Sequence, residues 1–257
     1  MKYYAKQAVN ILRTKGVQGL YNEFLDSELY REIKFRTATR RNWITNQMNY
    51  RAPAHPYRLI HVDPHTIEWN LTRDETAINK LHTWNGGLGQ VRAWSPPNHA
   101  LSSFSENYVK RGFVQRFEHG YDWPDTVYYQ ELRDETDHST LKQRCAFYDQ
   151  LYETIRENGY QADHAGPTYR GSIGYKQKLS ILTVINAEGE LYLWDGRHRL
   201  AIAQLIDMDT VPVHVVCRHK EWQQIRDQVQ KSLHSSLVTF DLNQNISSHP
   251  DMQDLFS

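Results

Sequence analysis

An apolar run, Leu191-Tyr192-Leu193-Trp194, stops at Asp195-Gly196, and Arg197-His198-Arg199 follows at once. Leu200-Ala201-Ile202-Ala203-Gln204-Leu205-Ile206 comes next, a sequence that opens a helix well. No other stretch constrains the folding of this chain so tightly, because strand composition passes into helix composition with a single glycine as the joint. Glycine at such a joint lets the backbone approach a ligand with no side chain in the way. The unpaired N–H groups of a first helical turn, at the positive end of the helix dipole, favour an anion. Two arginines add planar, bidentate donors suited to phosphate. The pattern points to a phosphate or nucleotide site formed by Gly196, Arg197, His198 and Arg199, with Asp195 beside it.

Each of these residues also has a plainer reading. Arg197 and Arg199 can pair with helix-face carboxylates, and His198 can cap a helix. Asp195 can cap the same helix, the usual task of Asp at that position. Glycine followed by two arginines flanking a histidine at a strand end tips the balance toward phosphate.

The 257 residues suffice for one sizeable core, alone or with a small appendage. Thirty basic residues balance thirty acidic ones, so no global field draws the chain to nucleic acid or to an anionic membrane. No run approaches the roughly 18 apolar residues of a membrane span, and the N-terminus lacks the apolar core of a secretory signal. Cys145 and Cys217 are the two cysteines and have no metal-like spacing. A cytoplasmic protein with reduced thiols is the expectation. Sixteen tyrosines and seven tryptophans supply either stacking surfaces for a base or sugar, or amphipathic core packing.

Residues 1–53 carry ten basic against four acidic residues, a net of +6. Val9, Leu12, Leu20, Phe24 and Ile33 recur near helical spacing, broken by Gly16 and Gly19, which predicts a basic arm of two short helices. Such an arm can pack on its own domain, lie on nucleic acid, or contact a membrane peripherally through residues 1–45. Arg51 to Pro56 reads as a linker, because its prolines stop regular structure. Tyr57 to Val62 has strand composition and ends at the turn signal Asp63-Pro64. Residues 73–83 are weakly helical, and an insertion at about 85–140 follows. Within it a helix is predicted over Ser105 to Gly120, a loop over Asp122 to Thr126, and either a strand or a helix from Val127 to Leu132.

Leu141, Cys145, Tyr148, Leu151, Tyr152 and Ile155 form one stripe of a helix that Gly159 closes. A glycine-bearing loop, 166–174, leads to a strand over Leu179 to Ile185. Asn186 to Gly189 reads as a hairpin turn into the apolar run before Asp195. After the helix that begins at the Arg-His-Arg segment, Val211 to Val216 is a buried strand and Glu221 to Leu233 a helix. Residues 231–257 are predicted to be a polar tail. The fold class is α+β, a small mixed sheet flanked by helices, occupying 54–230 with the insertion.

This order of elements resembles the ParB/sulfiredoxin-like superfamily, which includes the N-terminal domain of ParB partition proteins, sulfiredoxin, free-serine kinases and stand-alone ParB-like nuclease proteins. The resemblance rests on Leu151 to Gly159, Leu179 to Ile185, Tyr192 to Leu200 and Val211-Pro212-Val213, with Tyr57 to Ile67 similar to the family's first strand. It implies that Gly196, Arg197, His198 and Arg199 hold nucleotide phosphates. Asp195 would hold Mg²⁺ or accept a hydroxyl proton, either of which phosphoryl transfer can use. In the free-serine kinases a glutamate just after the first strand is the base, and Glu68 is the nearest candidate here. Sulfiredoxin chemistry needs a cysteine in the turn, where this chain has Arg197.

Two function classes follow. The first is an NTP- and Mg²⁺-dependent phosphotransferase or nucleotide hydrolase, using ATP or CTP, that acts on a small molecule or glycan precursor. In this reading Asp195, Glu68 and His198 are the candidate catalytic residues, and the loop at Asp122 to Thr126 is a candidate substrate rim. The second is a nuclease or nucleic-acid-binding protein, or a non-catalytic nucleotide sensor. Nucleic acid is the less favoured partner, because no helix-turn-helix module fits in the roughly forty residues after the Val-Pro-Val strand.

Overall fold

The computed structural model describes residues 13–14, 16–19, 28–71, 86–95, 100–160, 181–234 and 244–256. The segment 73–83, the loop 166–174 and most of the first predicted arm helix lie outside them. In chain order the elements are α1 (Glu28–Asn49), β1 (Leu59–Val62), β2 (Trp69–Leu71), β3 (Gln90–Arg92), β4 (Leu101–Ser103), α2 (Tyr108–Phe113), α3 (Val127–Leu132) and α4 (His138–Asn158). Then come β5 (Ile181–Ile185), β6 (Leu191–Asp195), α5 (Arg197–Leu205), β7 (Val211–His219), α6 (Lys220–Leu233) and α7 (Gln244–Ser247). The fold is α+β, with an open mixed sheet of seven strands flanked by helices.

β7 organises the sheet. All nine of its residues are buried, as expected of a Val-rich strand covered on both faces. One edge pairs along its length with the parallel strand β5. The other edge is shared: β1 runs antiparallel to the first half, with Val62 opposite Val211, and β3 runs parallel to the second half, with Gln90 opposite Cys217. β5 and β6 form the hairpin predicted around Asn186 to Gly189, where Asn186 Oδ1 accepts the N–H groups of Glu188 and Glu190. β2 runs parallel to β6, and β4 runs antiparallel to β2.

Strand alternation divides the core. Leu191 and Leu193 of β6 face the larger cluster, with Ile181, Val213 and Val215 of the sheet and Leu200, Ile202, Leu141 and Tyr148 of the covering helices. Tyr192 and Trp194 face the opposite side, with Leu182, Val184, Val216 and Phe35 of α1. α4 follows the predicted stripe, with Leu141, Cys145, Tyr148, Leu151 and Ile155 buried. Asp137 caps its start through the Thr140 N–H, and Gly159 ends it at φ 72°.

Several expectations change. In the basic arm the described residues 13–14 and 16–19 are helical, and the second helix is longer than expected, 22 residues packed on the sheet through Phe35. The linker is pinned: the N–H groups of Arg51 and Ala52 donate to Asp227 Oδ1, and Ala52 and Ala54 are buried. The insertion belongs to the sheet, contributing β3 and β4. The helix predicted over Ser105 to Gly120 is α-helical from Tyr108 to Phe113 and continues as a π turn to Glu118. Val127 to Leu132 is helical, with Thr126 Oγ1 accepting the Tyr129 N–H as its cap.

The polar tail is the largest correction. Residues 250–255 form a 3₁₀ turn that docks on the domain, with Asp251 and Met252 buried. Arg218 Nε and Nη2 donate to the Asp251 carboxylate at 2.9 and 2.6 Å, and Trp222 Nε1 donates at 3.0 Å. Arg226, fully buried, donates to the Asp251 carbonyl and to both carboxylate oxygens of Asp254. Arg58 bridges Asp254 at 2.8 Å and donates to the carbonyls of Pro250 and Asp251. Burial alone would raise the pKa of Asp251. Arg218 and Arg226 reverse that and hold it well below the ordinary carboxylate range.

Removing one member of such a cluster leaves buried charges without their partner. Asp251→Asn is therefore expected to cost about 3–5 kcal/mol and to lower Tm on the order of 10 °C. A thermal melt checks this, and a variant as stable as the parent contradicts it.

Candidate functional site

The strand-to-helix joint forms as its residues dictate. β6 ends at Asp195, and Gly196 occupies the N-cap position of α5 at φ 94°, ψ 20°. That conformation disfavours any side chain, and a Cβ there would lie 3.0 Å from Ile181 Cα of the neighbouring strand. Asp195 does not cap α5. Its Oδ1 accepts the N–H of Gly196 at 2.7 Å, and Gly196, as the N-cap residue, supplies no side-chain cap bond. The first intrahelical bond runs from Leu200 N–H to the Gly196 carbonyl. The preceding N–H groups, of Arg197, His198 and Arg199, have no acceptor within the helix.

The side chains divide by role. Arg197 is exposed, with its guanidinium carbon 5.4 Å from the centroid of the Tyr108 ring, at the start of α2. Arg199 is half-buried. The ring of His198 enters an aromatic box, stacked on Tyr148 of α4 at 4.3 Å and 12°. Phe113 and Tyr128 lie at 5.8 and 5.9 Å. Desolvation in this box, then the positive charges of Arg197, Arg144 and Arg199, hold the His198 pKa well below its ordinary value. The imidazole is neutral near pH 7. Its packing makes it a positioning residue that fixes the first turn of α5 against α4.

Nothing local in the sequence marks Arg144. It stands one helical turn before Tyr148 on α4, on the same side of the helix, and joins Arg197 and Arg199 in acting on His198. The signal available in sequence was its spacing from Tyr148, which has no meaning until Tyr148 is known to stack on the turn. Tyr108 is likewise marked in sequence only by lying within the helix predicted over Ser105 to Gly120.

Glu68 is not brought to the turn. The register sets Trp69 beside Tyr192 and Asn70 beside Leu193, so Glu68 enters the sheet level with Leu191, where β6 begins. Asp195 lies four positions further along the strand, about 13 Å away at the usual rise per residue. Gln204, near the far end of α5, bonds the Pro64 carbonyl at 2.8 Å, which places the Pro64 to Glu68 segment at that far end. In the loop at Asp122 to Thr126, two residues face inward, while Asp122, Pro124 and Asp125 are exposed. Trp123 is buried and donates to both oxygens of Asp149, and Thr126 is fully buried. Its aromatic neighbours, Phe113, Phe117 and Tyr128, make this part of the insertion the wall of the His198 box.

Burial pushes both thiols, Cys145 and Cys217, up to about 12, so neither is a thiolate near neutral pH. Among the described residues no cluster of three His, Cys, Asp or Glu side chains is placed to hold a metal ion. No family model, no curated protein and no solved structure matches this chain.

The depressed pKa of His198 has a thermodynamic consequence. As pH falls below about 6.5, the unfolded chain takes up a proton that the folded imidazole refuses, so stability present above that pH is lost progressively. His198→Phe keeps the ring in the box and removes the titration. Its Tm is expected to fall less than that of the parent between about pH 7 and pH 5. His249, whose pKa burial also lowers, retains part of the slope. Identical slopes for variant and parent contradict the assignment.

Proposed function

We propose that the turn from Asp195 to Arg199 holds the phosphates of a nucleoside triphosphate, ATP or CTP. On this reading the protein is an NTP-dependent phosphotransferase or nucleotide hydrolase acting on a small molecule or glycan precursor. The observation that carries the reading is the start of α5 at a left-handed glycine, with the arginines at 197 and 199 on its first turn. The backbone N–H groups receive phosphate oxygens, and the two guanidiniums offset the remaining charge. Arg144, which acts on the same histidine from α4, extends the basic side of the site toward a polyphosphate. The resemblance to the ParB/sulfiredoxin-like superfamily supports the same use of this turn.

Asp195 is the carboxylate next to the helix start, and its Oδ1 is oriented by the Gly196 N–H. One protein oxygen, completed by phosphate oxygens and water, suits Mg²⁺ that arrives with a nucleotide rather than a resident metal. Bound there, Mg²⁺ would neutralise phosphate charge. In the absence of the ion, Asp195 would take the proton of an attacking hydroxyl or water. Glu68 has no part in this step, and His198 acts through packing.

A thermal-shift screen of the common nucleoside triphosphates with Mg²⁺ should find one that stabilises the protein. Calorimetric titration should then show Arg197→Ala and Arg199→Ala each weakening binding about 10- to 100-fold, the worth of a charge-assisted hydrogen bond. Arg144→Ala should weaken a triphosphate more than a monophosphate. No stabilisation by any nucleotide, or an unchanged Kd in Arg199→Ala, overturns the reading.

A further inference from the structure

The faces of α1 are reversed from the usual order. Its inward arc attaches to the domain chiefly by hydrogen bonds. Thr39 Oγ1 accepts the Leu88 N–H at 3.0 Å. Asn42 Nδ2 donates to the carbonyls of Gly86 and Leu88 at 2.6 and 2.9 Å, and Asn46 Nδ2 to that of Gly89 at 2.7 Å. The backbone comes so close that a Cβ on Gly87, at φ 65°, would lie 2.4 Å from Thr39 N. Phe35 and Ala38 are the apolar members of this arc.

The larger aliphatic side chains point the other way. At 100° per residue, Ile33, Thr37, Ile44 and Met48 share a sector of about 60° opposite the buried arc. Ile33 is 48 % exposed, Ile44 51 % and Met48 81 %. Arg36 and Arg40 flank the sector on one side, and Lys34 and Arg41 on the other, all exposed. Arg36 pairs with Glu32 at 2.6 Å, and the Lys34 ammonium lies 6.0 Å from the Tyr30 ring.

An apolar strip between two basic edges is the arrangement of a helix lying in the plane of an anionic bilayer. We propose that this arc of α1 is a membrane-surface contact, with Ile33, Ile44 and Met48 entering the acyl boundary. Lys34, Arg36, Arg40 and Arg41 then meet lipid phosphates. A phosphate backbone alone, as in nucleic acid, gives the three aliphatics nothing to bury against. A second copy of this chain, packed about a two-fold axis, would set basic edges against basic edges. At 22 residues α1 is about 33 Å long, ample for an interfacial contact. Among the described residues no helix is long and apolar enough to cross a membrane, so the contact lies on the bilayer rather than through it. With no net charge on the whole chain, attraction is local to this arc and screened by salt.

The test is flotation of the full-length protein with phosphatidylcholine vesicles, with and without phosphatidylglycerol, at low and physiological salt. Two variants accompany it, Ile33→Ser/Ile44→Ser/Met48→Ser and Arg40→Glu/Arg41→Glu. All five positions are exposed, so circular dichroism and Tm should match the parent. The parent should float with the anionic vesicles and stay behind with pure phosphatidylcholine, and salt should release it. Each variant should bind at least about tenfold more weakly. The proposal is overturned by a parent that ignores anionic vesicles or binds both kinds equally, or by variants that bind like the parent. It is equally overturned if the triple variant loses self-association, or the charge-reversed one loses duplex DNA binding, with lipid binding absent throughout.

Discussion

One buried carboxylate holds the far end of the sheet together. Asp251 has no solvent exposure, and desolvation opposes its charge, yet Arg218 and Arg226 keep it ionised. Through these contacts it joins stretches of chain that are remote in sequence. Arg218 lies at the end of β7, Arg226 on α6, Arg58 just before β1, and Arg226 Nε also bonds the carbonyl of Ala52 at 3.2 Å. The network has three guanidiniums and two carboxylates, with Asp251, Arg218 and Arg226 buried and Arg58 and Asp254 at its partly exposed edge, so the buried groups depend on one another.

The influence of this cluster reaches the turn at the other end of the strands. His249, two residues before Asp251, contacts the carbonyl of Gly189 at 3.0 Å and packs edge-on against Trp222 at 4.6 Å. Gly189 is in the tip of the β5–β6 hairpin. The same hairpin carries Asp195 at its opposite end, where the bulged register sets Asp195 beside Leu182. α5 then rises from Gly196 along the sheet, held by the aromatic box at its first turn and by Gln204 at its last. A donor-rich helix start is thus supported by rigid strands and an aromatic wall, as an anion site requires for its geometry to persist without ligand.

Local signals made much of this legible. The α4 stripe, the hairpin turn and the Asp-Gly joint all appear where periodicity and turn chemistry place them, because each is decided by residues within one window. The rest depended on partners far along the chain. β3 and β4 are three residues each, and they exist because β7 and β2 offer open edges. Asp251 reads as a tail residue until Arg218, 33 positions earlier, is beside it. Thr39, Asn42 and Asn46 look like a solvated face, and only the glycines at 86, 87 and 89 make them an inward one. Glu68 illustrates the same limit at the site: proximity to a first strand says nothing of height along the sheet, which register alone sets.

The proposed phosphate cradle consists of the N–H groups of Arg197, His198 and Arg199. Amide chemical-shift mapping in ¹H–¹⁵N spectra during titration with a nucleoside triphosphate and Mg²⁺ tests it most directly. The account predicts that the largest saturable shifts fall on Arg197, His198 and Arg199, with smaller ones on Arg144 and Tyr108. Shifts confined to another part of the molecule, or a titration that leaves these three amides unmoved, would contradict it.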